Sequence, residues 1–308
     1  MAMKYLELDN GKLRVSNIVL GCMRINNLDE VGVEKHVRTA MEAGINLFDH
    51  ADIYGGGECE SLFARALHMN ADLREKMILQ SKCGIRPGYY DFSKEHILKS
   101  VDGILQRLHT EYLDILLLHR PDALMEPEET AEALQILFDA GKVRYFGVSN
   151  HNPAQIELLQ RAFGQKLLFN QMQVSVAHTP LVDSGMAVNM FIDQSIDRTG
   201  STLEYCRLNN ITIQAWSPFQ KGFFEGPFLG DMEKYPDLNH KCEELAEKYS
   251  VTPTGIAVAW LTRHPANMQV ILGTTKASRV LEGCAGSDIP LTREEWYGLY
   301  QAAGNMIP

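Results

Sequence analysis

Short apolar segments rich in β-branched residues alternate along the chain with segments whose apolar residues recur at helical spacing. Eight of the short segments predict strands: Val15–Cys22, Asn46–Asp49, Met77–Lys82, Leu113–His119, Val143–Ser149, Leu168–Gln173, Ile211–Ser217 and Gln269–Gly273. Strands that are apolar on both faces and separated by helices favour a parallel sheet, because crossover helices cover both of its faces. Eight such strands can close without free edges, so the expected fold is an α/β (β/α)8 TIM barrel.

The residues that flank the predicted helices agree with this alternation. Ser93 is a good N-cap for a segment with one continuous apolar stripe, and Asn152, which precedes a proline, marks another helix start. Gly44 and Gly141 stand where two helices should end. An additional C-terminal helix is predicted at Thr292–Ala303, outside the barrel count.

The segment ahead of the first barrel strand has the pattern of a β-hairpin. Tyr5–Leu8 and Lys12–Val15 flank the sequence Asp-Asn-Gly, which favours a tight turn. We expect this N-terminal hairpin to cap the bottom of the barrel.

No internal repeat, low-complexity tract or linker divides the chain, so residues 1–308 are expected to form a single barrel domain. Two connections, residues 177–200 and 220–236, are longer than a simple barrel needs. Because long loops after barrel strands usually build the site, we expect these two to shape a pocket.

The chain is acidic, with 39 Asp and Glu residues against 29 Lys and Arg residues and a formal net charge of −10. This charge repels nucleic acid and anionic lipid, and no run of basic residues offers a local exception. The chain shows neither a signal-peptide core nor a run of ~20 apolar residues. We therefore expect no nucleic-acid or membrane partner and a cytoplasmic location, whereas the sequence does not indicate an oligomeric state.

The six cysteines are scattered and include no CxxC pair. Reduced, mostly buried thiols are therefore expected. The histidines lack the spacing of metal ligands, so we expect no metal site.

Four titratable residues of different kinds come at or soon after the ends of predicted strands: Asp49, Tyr54, Lys82 and His119. The catalytic groups of a (β/α)8 barrel lie at the C-terminal ends of its strands, so these four should face one mouth. Taken singly, a strand-end Asp, Lys or His has a structural explanation as a helix cap, a side chain reaching solvent or a satisfied core residue. Taken together, the four indicate an acid–base site.

The chemistry that fits these residues is proton donation by Tyr54. A phenol has a pKa near ~10 in water and is a poor acid at neutral pH. A cationic Lys82 beside the hydroxyl should lower that pKa, and Asp49 should hold the ammonium charged and in place. His119 could hydrogen-bond the substrate oxygen.

Three segments resemble the aldo-keto reductases: Asn46–Gly55, Leu116–His119 and Gly141–Asn150. The tetrad of that family consists of Asp, Tyr, Lys and His, and the matching residues here are Asp49, Tyr54, Lys82 and His119. The resemblance extends over nearly the whole chain. It implies an NADP-dependent oxidoreductase that reduces an aldehyde or ketone to an alcohol by hydride transfer from NADPH, with Tyr54 as the general acid.

The resemblance also implies how NADP(H) would be held. Ser149, Asn150 and Gln171 would bind the nicotinamide amide, and Trp216 would stack on the ring, where the family usually has Tyr. Further expected cofactor contacts in this half of the site are Gly21, Met23, Asp49, Ser217, Pro218, Phe219 and Gly222. The expected substrate contacts are Met23, Tyr54 and His119, with Arg24, Tyr89 and Tyr90 as additional candidates.

A cluster suited to a phosphate follows the last predicted strand: Gly273, Thr274, Thr275, Lys276 and Arg279. Arg binds phosphate oxygens in a fork and Lys adds a point charge, so a ribose 2′-phosphate, and thus NADPH over NADH, is favoured. The alternative is a solvated helix start. Where the family often has an adenine-contacting Asn, this chain has Gly283, and it lacks the GxGxxG fingerprint of a Rossmann enzyme.

Two other functions remain open from the sequence. Channel-associated β subunits share this fold, the tetrad and bound NADPH, so an NADPH-binding sensor with little turnover is the main alternative. A Schiff-base aldolase in which Lys82 attacks the carbonyl is the other, and the expected nicotinamide contacts argue against it.

Overall fold

The structure is a computed structural model that describes residues 3–222 and 225–307. Its strands are β1 (Tyr5–Leu8), β2 (Leu13–Ser16), β3 (Ile18–Gly21), β4 (Leu47–Asp49), β5 (Ile78–Cys83), β6 (Ile85–Arg86), β7 (Tyr89–Tyr90), β8 (Leu113–Leu118), β9 (Val143–Ser149), β10 (Leu167–Gln173), β11 (Thr212–Trp216) and β12 (Gln269–Leu272). Its α-helices are α1 (Glu30–Glu42), α2 (Glu58–Ala66), α3 (Ala71–Arg74), α4 (Lys94–Leu108), α5 (Pro127–Asp139), α6 (Pro153–Ala162), α7 (Pro180–Met186), α8 (Thr202–Leu208), α9 (Pro236–Tyr249), α10 (Pro253–Thr262), α11 (Ala277–Cys284) and α12 (Arg293–Ala302). Short 3₁₀ turns cover Ile25–Asn27, Tyr54–Gly57 and Asp193–Ser195.

Eight of these strands close into a parallel barrel in the order β3-β4-β5-β8-β9-β10-β11-β12, with β12 pairing back onto β3. Helices lie between successive barrel strands. The predicted (β/α)8 barrel is therefore confirmed. Each predicted barrel strand corresponds to an observed one, with ends that differ by up to three residues.

The N-terminal boundary of the first barrel strand was predicted wrongly. Val15 belongs to β2, and the barrel strand β3 begins only at Ile18. No Gly or Pro separates the two strands, so one apolar run continues from the hairpin into the barrel and its pattern shows no break.

The predicted hairpin is present and lies against the barrel interior. β1 pairs antiparallel with β2, Tyr5 opposite Ser16. Its apolar side chains join a group that we call the inner cluster, whose members are Leu6, Leu13, Val15, Val19, Leu47, Ile115, Leu117, Leu168, Phe169 and Ile271.

The opposite faces of the barrel strands pack against the helices. Side chains alternate between the two faces of a strand, so each strand contributes to both regions. The barrel residues of this outer cluster include Ile18, Leu20, Phe48, Leu79, Leu116, Leu118, Phe146, Val148, Ile213, Ala215, Val270 and Leu272.

Helix ends agree with the local sequence. The Ser93 side chain accepts a hydrogen bond from the His96 amide at the start of α4, and Asn152 forms a capping box at the start of α6. Gly44 and Gly141 follow α1 and α5 with positive φ angles of 94° and 70°. The predicted C-terminal helix is α12, capped by Thr292.

The long connection at 177–200 contains α7, whereas residues 223 and 224 of the other long connection lie outside the described residues. Five of the six cysteines are buried, and within the described ranges none forms a disulfide. In the same ranges no helix combines the length and the apolar character needed to cross a bilayer.

Candidate active site

The four predicted catalytic residues meet at the C-terminal mouth of the barrel. Asp49 ends β4 and Lys82 lies near the end of β5, while His119 directly follows β8. Tyr54 begins a 3₁₀ turn in which three consecutive glycines have φ angles of 59°, 66° and 94°. Only glycine adopts such angles without a steric penalty, so this sequence lets the chain turn sharply from Tyr54 into α2.

Lys82 is the centre of the group. Its Nζ donates to a carboxylate oxygen of Asp49 at 2.8 Å, to the Tyr54 hydroxyl at 3.0 Å and to the His50 carbonyl oxygen at 2.7 Å. The Lys82 side chain is fully buried. An ammonium group has three donors, and all three have acceptors here.

Burial opposes the charge on Lys82, but Asp49 and Tyr54 outweigh it and raise the pKa of the ammonium above its ordinary value. For Tyr54 the balance is the reverse of the sequence expectation. Burial raises the pKa of the phenol, and the opposing charge of Lys82 does not compensate. Tyr54 is therefore a neutral phenol at neutral pH, with its proton available.

The His119 ring packs edge-on against Tyr54, with 6.0 Å between ring centroids. Burial, Lys82 and Arg120 together lower the pKa of His119 well below its ordinary value. The imidazole is therefore neutral at neutral pH, so one ring nitrogen carries hydrogen and the other can accept.

A cavity of about 580 Å³ opens above these residues. Its lining consists of Met23, Arg24, Ile53, Tyr54, Gly55, Ile85, Tyr90, His119, Arg120, Ser149, Asn150, Gln171, Trp216, Ser217 and Gln220. The three expected substrate contacts thus share one cavity with six of the expected cofactor contacts, Met23 being counted in both sets. Asp49 and Lys82 lie beneath it and reach it through Tyr54.

The expected nicotinamide contacts are connected to one another. The Trp216 indole N–H donates to the Asn150 side-chain oxygen at 3.2 Å, and the Asn150 amide donates to Ser149 Oγ at 2.8 Å. Asn150 and Ser217 both have left-handed backbones, with φ of 59° and 49°. Asparagine tolerates a left-handed backbone, whereas serine rarely adopts it, so Ser217 is the more strained of the two residues at the cavity.

The other expected cofactor residues are not part of the cavity lining. Gly21 is buried at the end of β3, and Pro218, Phe219 and Gly222 follow β11. The expected phosphate cluster follows β12, with the exposed Lys276 and Arg279 at the start of α11. Within the described ranges neither of these two cations forms a salt bridge.

Some residues of the site were missed or misplaced by the sequence analysis. Arg120 lines the cavity, with its guanidinium carbon 5.7 Å from the Trp216 ring centroid. Its position immediately after His119 was the available signal. Tyr89 is exposed and absent from the lining, whereas Tyr90 is present. His50 and His151, which follow β4 and β9 at the same mouth, are both buried, and burial lowers the pKa of His50 to about 3 and that of His151 to about 4.

Comparison with known proteins identifies the family of the chain. The model of the aldo/keto reductase family matches residues 17–302. An uncharacterized oxidoreductase, YcsN, of Bacillus subtilis is 34% identical, over 96% of this chain and 97% of the relative. A 6-dehydroglucose reductase of Agrobacterium fabrum is also 34% identical, over 95% of each chain.

Solved structures agree on the fold. The thermostable aldo-keto reductase Tm1743 in complex with the inhibitor epalrestat superposes with a TM-score of 0.77 at 25% identity, covering 97% of this chain and 100% of the other. An aldo/keto reductase from Klebsiella pneumoniae in complex with NADP and acetate has a TM-score of 0.76 at 24% identity, covering 94% and 92%, and this likeness shows the fold alone. The chain therefore belongs to the aldo/keto reductase family.

Proposed function

We propose that this protein reduces an aldehyde or ketone to an alcohol with NADPH, using Tyr54 as the general acid. The observation that carries the proposal is the position of Lys82 Nζ, which bonds both Asp49 and the Tyr54 hydroxyl beneath a cavity large enough for a small substrate. The name of the 6-dehydroglucose reductase relative supports a carbonyl substrate.

The residues present fit a nicotinamide cofactor. Trp216 offers a partly exposed ring to the cavity, beside the amides of Asn150 and Gln171 and the hydroxyl of Ser149. Ser149, Asn150 and Gln171 would bind the carboxamide, and Trp216 would stack on the ring. NADPH, when bound there, supplies the hydride for the carbonyl carbon.

The protein's own residues handle the proton. The neutral Tyr54 phenol donates its proton to the carbonyl oxygen, and Lys82 stabilises the phenolate that remains. Asp49 keeps Lys82 charged and in place. The neutral His119 imidazole hydrogen-bonds the carbonyl oxygen and holds it within reach of the Tyr54 hydroxyl.

The test of the proton donor is Tyr54→Phe, with Tyr90→Phe as the matched control because Tyr90 lines the same cavity. NADPH oxidation with a panel of aldehydes and ketones should fall by about 10²-fold or more in Tyr54→Phe. Tyr90→Phe should keep a rate near that of the wild type. An unchanged rate in Tyr54→Phe would contradict the assignment of Tyr54 as the general acid.

The cofactor preference rests on Lys276 and Arg279, which are exposed and free of acidic partners in the described ranges. The double variant Lys276→Ala/Arg279→Ala should bind NADPH less tightly and NADH unchanged, in a fluorescence titration of the cofactor. Equal affinity of the wild type for both cofactors would contradict the 2′-phosphate assignment.

The same measurements distinguish the alternatives. Tight NADPH binding with negligible turnover on the whole panel would favour the sensor function. The three hydrogen bonds of Lys82 hold it as a charged ammonium, whereas a Schiff base requires the neutral amine. Borohydride trapping with substrate would test this directly.

A further inference from the structure

A layer of glutamines crosses the barrel interior directly beneath the catalytic group. Gln80 lies on β5, Gln171 on β10, Gln214 on β11 and Gln269 on β12. Strand register places Gln80 beside Asp49 on one side of the barrel, and Gln214 between Gln171 and Gln269 on the other. All four side chains are buried, three of them completely. We call this group the glutamine layer.

Hydrogen bonds join the layer across the barrel. Gln80 and Gln214 form a reciprocal amide pair, with both N···O distances 2.9 Å. Gln214 also donates to Gln269 at 3.0 Å and accepts from Gln171 at 3.1 Å. Gln80 and Gln171 each donate to the same oxygen of Asp49.

The two ends of the layer fix the orientation of its amides. At one end Gln269 donates to the Ser16 carbonyl oxygen at 2.7 Å, and a carbonyl oxygen can only accept. At the other end stands the carboxylate of Asp49. Because both ends can only accept, Gln80, Gln171 and Gln214 must each donate both of their N–H groups within the layer. Flipping any of these amides would set an oxygen against an oxygen and break hydrogen bonds.

Such a layer is costly unless it is satisfied throughout. The interior of a barrel of this kind is usually filled by branched apolar side chains, which need no partners. A buried amide without a hydrogen bond is destabilising, and a half-satisfied network is worse than an apolar core. Within the layer the amide donors directed at Asp49 therefore have a defined direction and little freedom to move.

We propose that Gln80 and Gln214 are positioning residues that hold the Asp49 carboxylate toward Lys82, so that these two amides belong to the proton-donating unit. The proposal rests on the proposed function and deepens it. Gln80 acts on Asp49 directly. Gln214 acts through Gln80 and Gln171, the two amides that contact Asp49.

The decisive comparison is Gln80→Met against Gln269→Met. Both replace a completely buried glutamine of the layer by an apolar side chain of similar length, but only Gln80 contacts Asp49. Gln80→Met should lower kcat by about tenfold to a hundredfold, because a displaced catalytic group loses rate steeply. Gln269→Met should change kcat less than about threefold, because Gln269 does not contact Asp49 and the catalytic group stays in place.

If Gln80 had a purely structural role, its replacement would not shift the pH dependence of kcat. Removal of one amide donor disfavours the ionised carboxylate, so the acid limb of the kcat profile should shift to higher pH in Gln80→Met and stay in place in Gln269→Met. Gln80→Glu provides a second variant of nearly the same shape. Its own carboxylate would repel Asp49, so its acid limb should also move upward.

A readout independent of turnover separates this proposal from the proposed function. In protein with 15N-labelled lysine, the Lys82 ammonium signal should titrate at lower pH in Gln80→Met than in the wild type, because a displaced Asp49 raises the pKa of Lys82 less. If the wild type reduces no carbonyl but this signal shifts, the proposed function fails and the positioning role stands. Equal titration and equal kcat in Gln80→Met and Gln269→Met would overturn the positioning role.

Discussion

The inner and outer faces of the same barrel strands carry different kinds of side chain. On β8, Leu116 points outward into the outer cluster and Leu117 points inward into the inner cluster. On β5, Lys82 points inward, whereas its neighbour Ser81 bonds Glu60 of α2 at 2.6 Å on the outside. The outer face is mainly apolar along its length, but the inner face changes character from bottom to top.

Along the inner face, the side chains change from apolar to polar to charged from the bottom of the barrel to its mouth. The inner cluster and the hairpin fill the bottom, the glutamine layer lies above them, and Lys82 with Asp49 and Tyr54 forms the top. Charges in a dry interior interact more strongly than charges in water, and the layers beneath exclude water from below. Stability is therefore expected from the outer face and the bottom, and chemistry from the inner top.

The largest effect should come from Lys82→Met. Loss of the ammonium removes the partner of both Asp49 and Tyr54, and the reductase rate should fall by roughly 10²- to 10⁴-fold. Ser81→Ala, on the outer face of the same strand, should stay near the wild-type rate in the same NADPH assay. Comparable losses of rate in both variants would remove the contrast between the two faces.

The second comparison uses Leu116→Ala and Leu117→Ala, which delete the same atoms from opposite faces of β8. Each should destabilise the fold by about 2–5 kcal/mol in urea unfolding, since both side chains are buried. Only Leu117→Ala should also reduce the rate per folded molecule, because Leu117 stands beside Lys82 in the sheet register. Equal specific activity in the two variants would mean that the inner packing does not support the site.

The smallest effect concerns a polar group outside the barrel. Burial, and then the nearby Glu60, raise the pKa of Asp52 to about 7. The folded state thus binds this proton more tightly than the unfolded chain does, and stability is lost as pH rises from about 4 to 7. Asp52→Asn should therefore raise Tm by roughly 2 °C above pH 7, and this gain should shrink toward pH 4. A gain that is independent of pH would contradict the assignment.

The sequence predicted the parts of the fold that local pattern controls. Eight apolar segments, the hairpin turn and the C-terminal helix at Thr292–Ala303 correspond to observed elements, because each depends on neighbours a few residues away. The start of β3 was missed because Val15 and Ile18 continue one apolar run.

The site was predictable only where a residue's position at the end of a strand determines which mouth of the barrel it faces. Asp49, Lys82 and His119 could be placed at one mouth by that rule alone. The glutamine layer could not, because Gln80 and Gln214 meet across the barrel and only strand register and closure bring them together. Burial likewise decides the net pKa shift of Tyr54, and the sequence does not show it.

Closure of the barrel between β3 and β12 also has a consequence for synthesis on the ribosome. β3 is made first among the barrel strands and β12 last, and Ile18 to Leu20 pair with Val270 to Leu272. Until β12 has emerged, the free edge of β3 exposes unpaired backbone groups and can recruit a strand from another nascent chain. Emergence of β12 from the ribosome is therefore the step after which the chain can pair that edge of β3 itself.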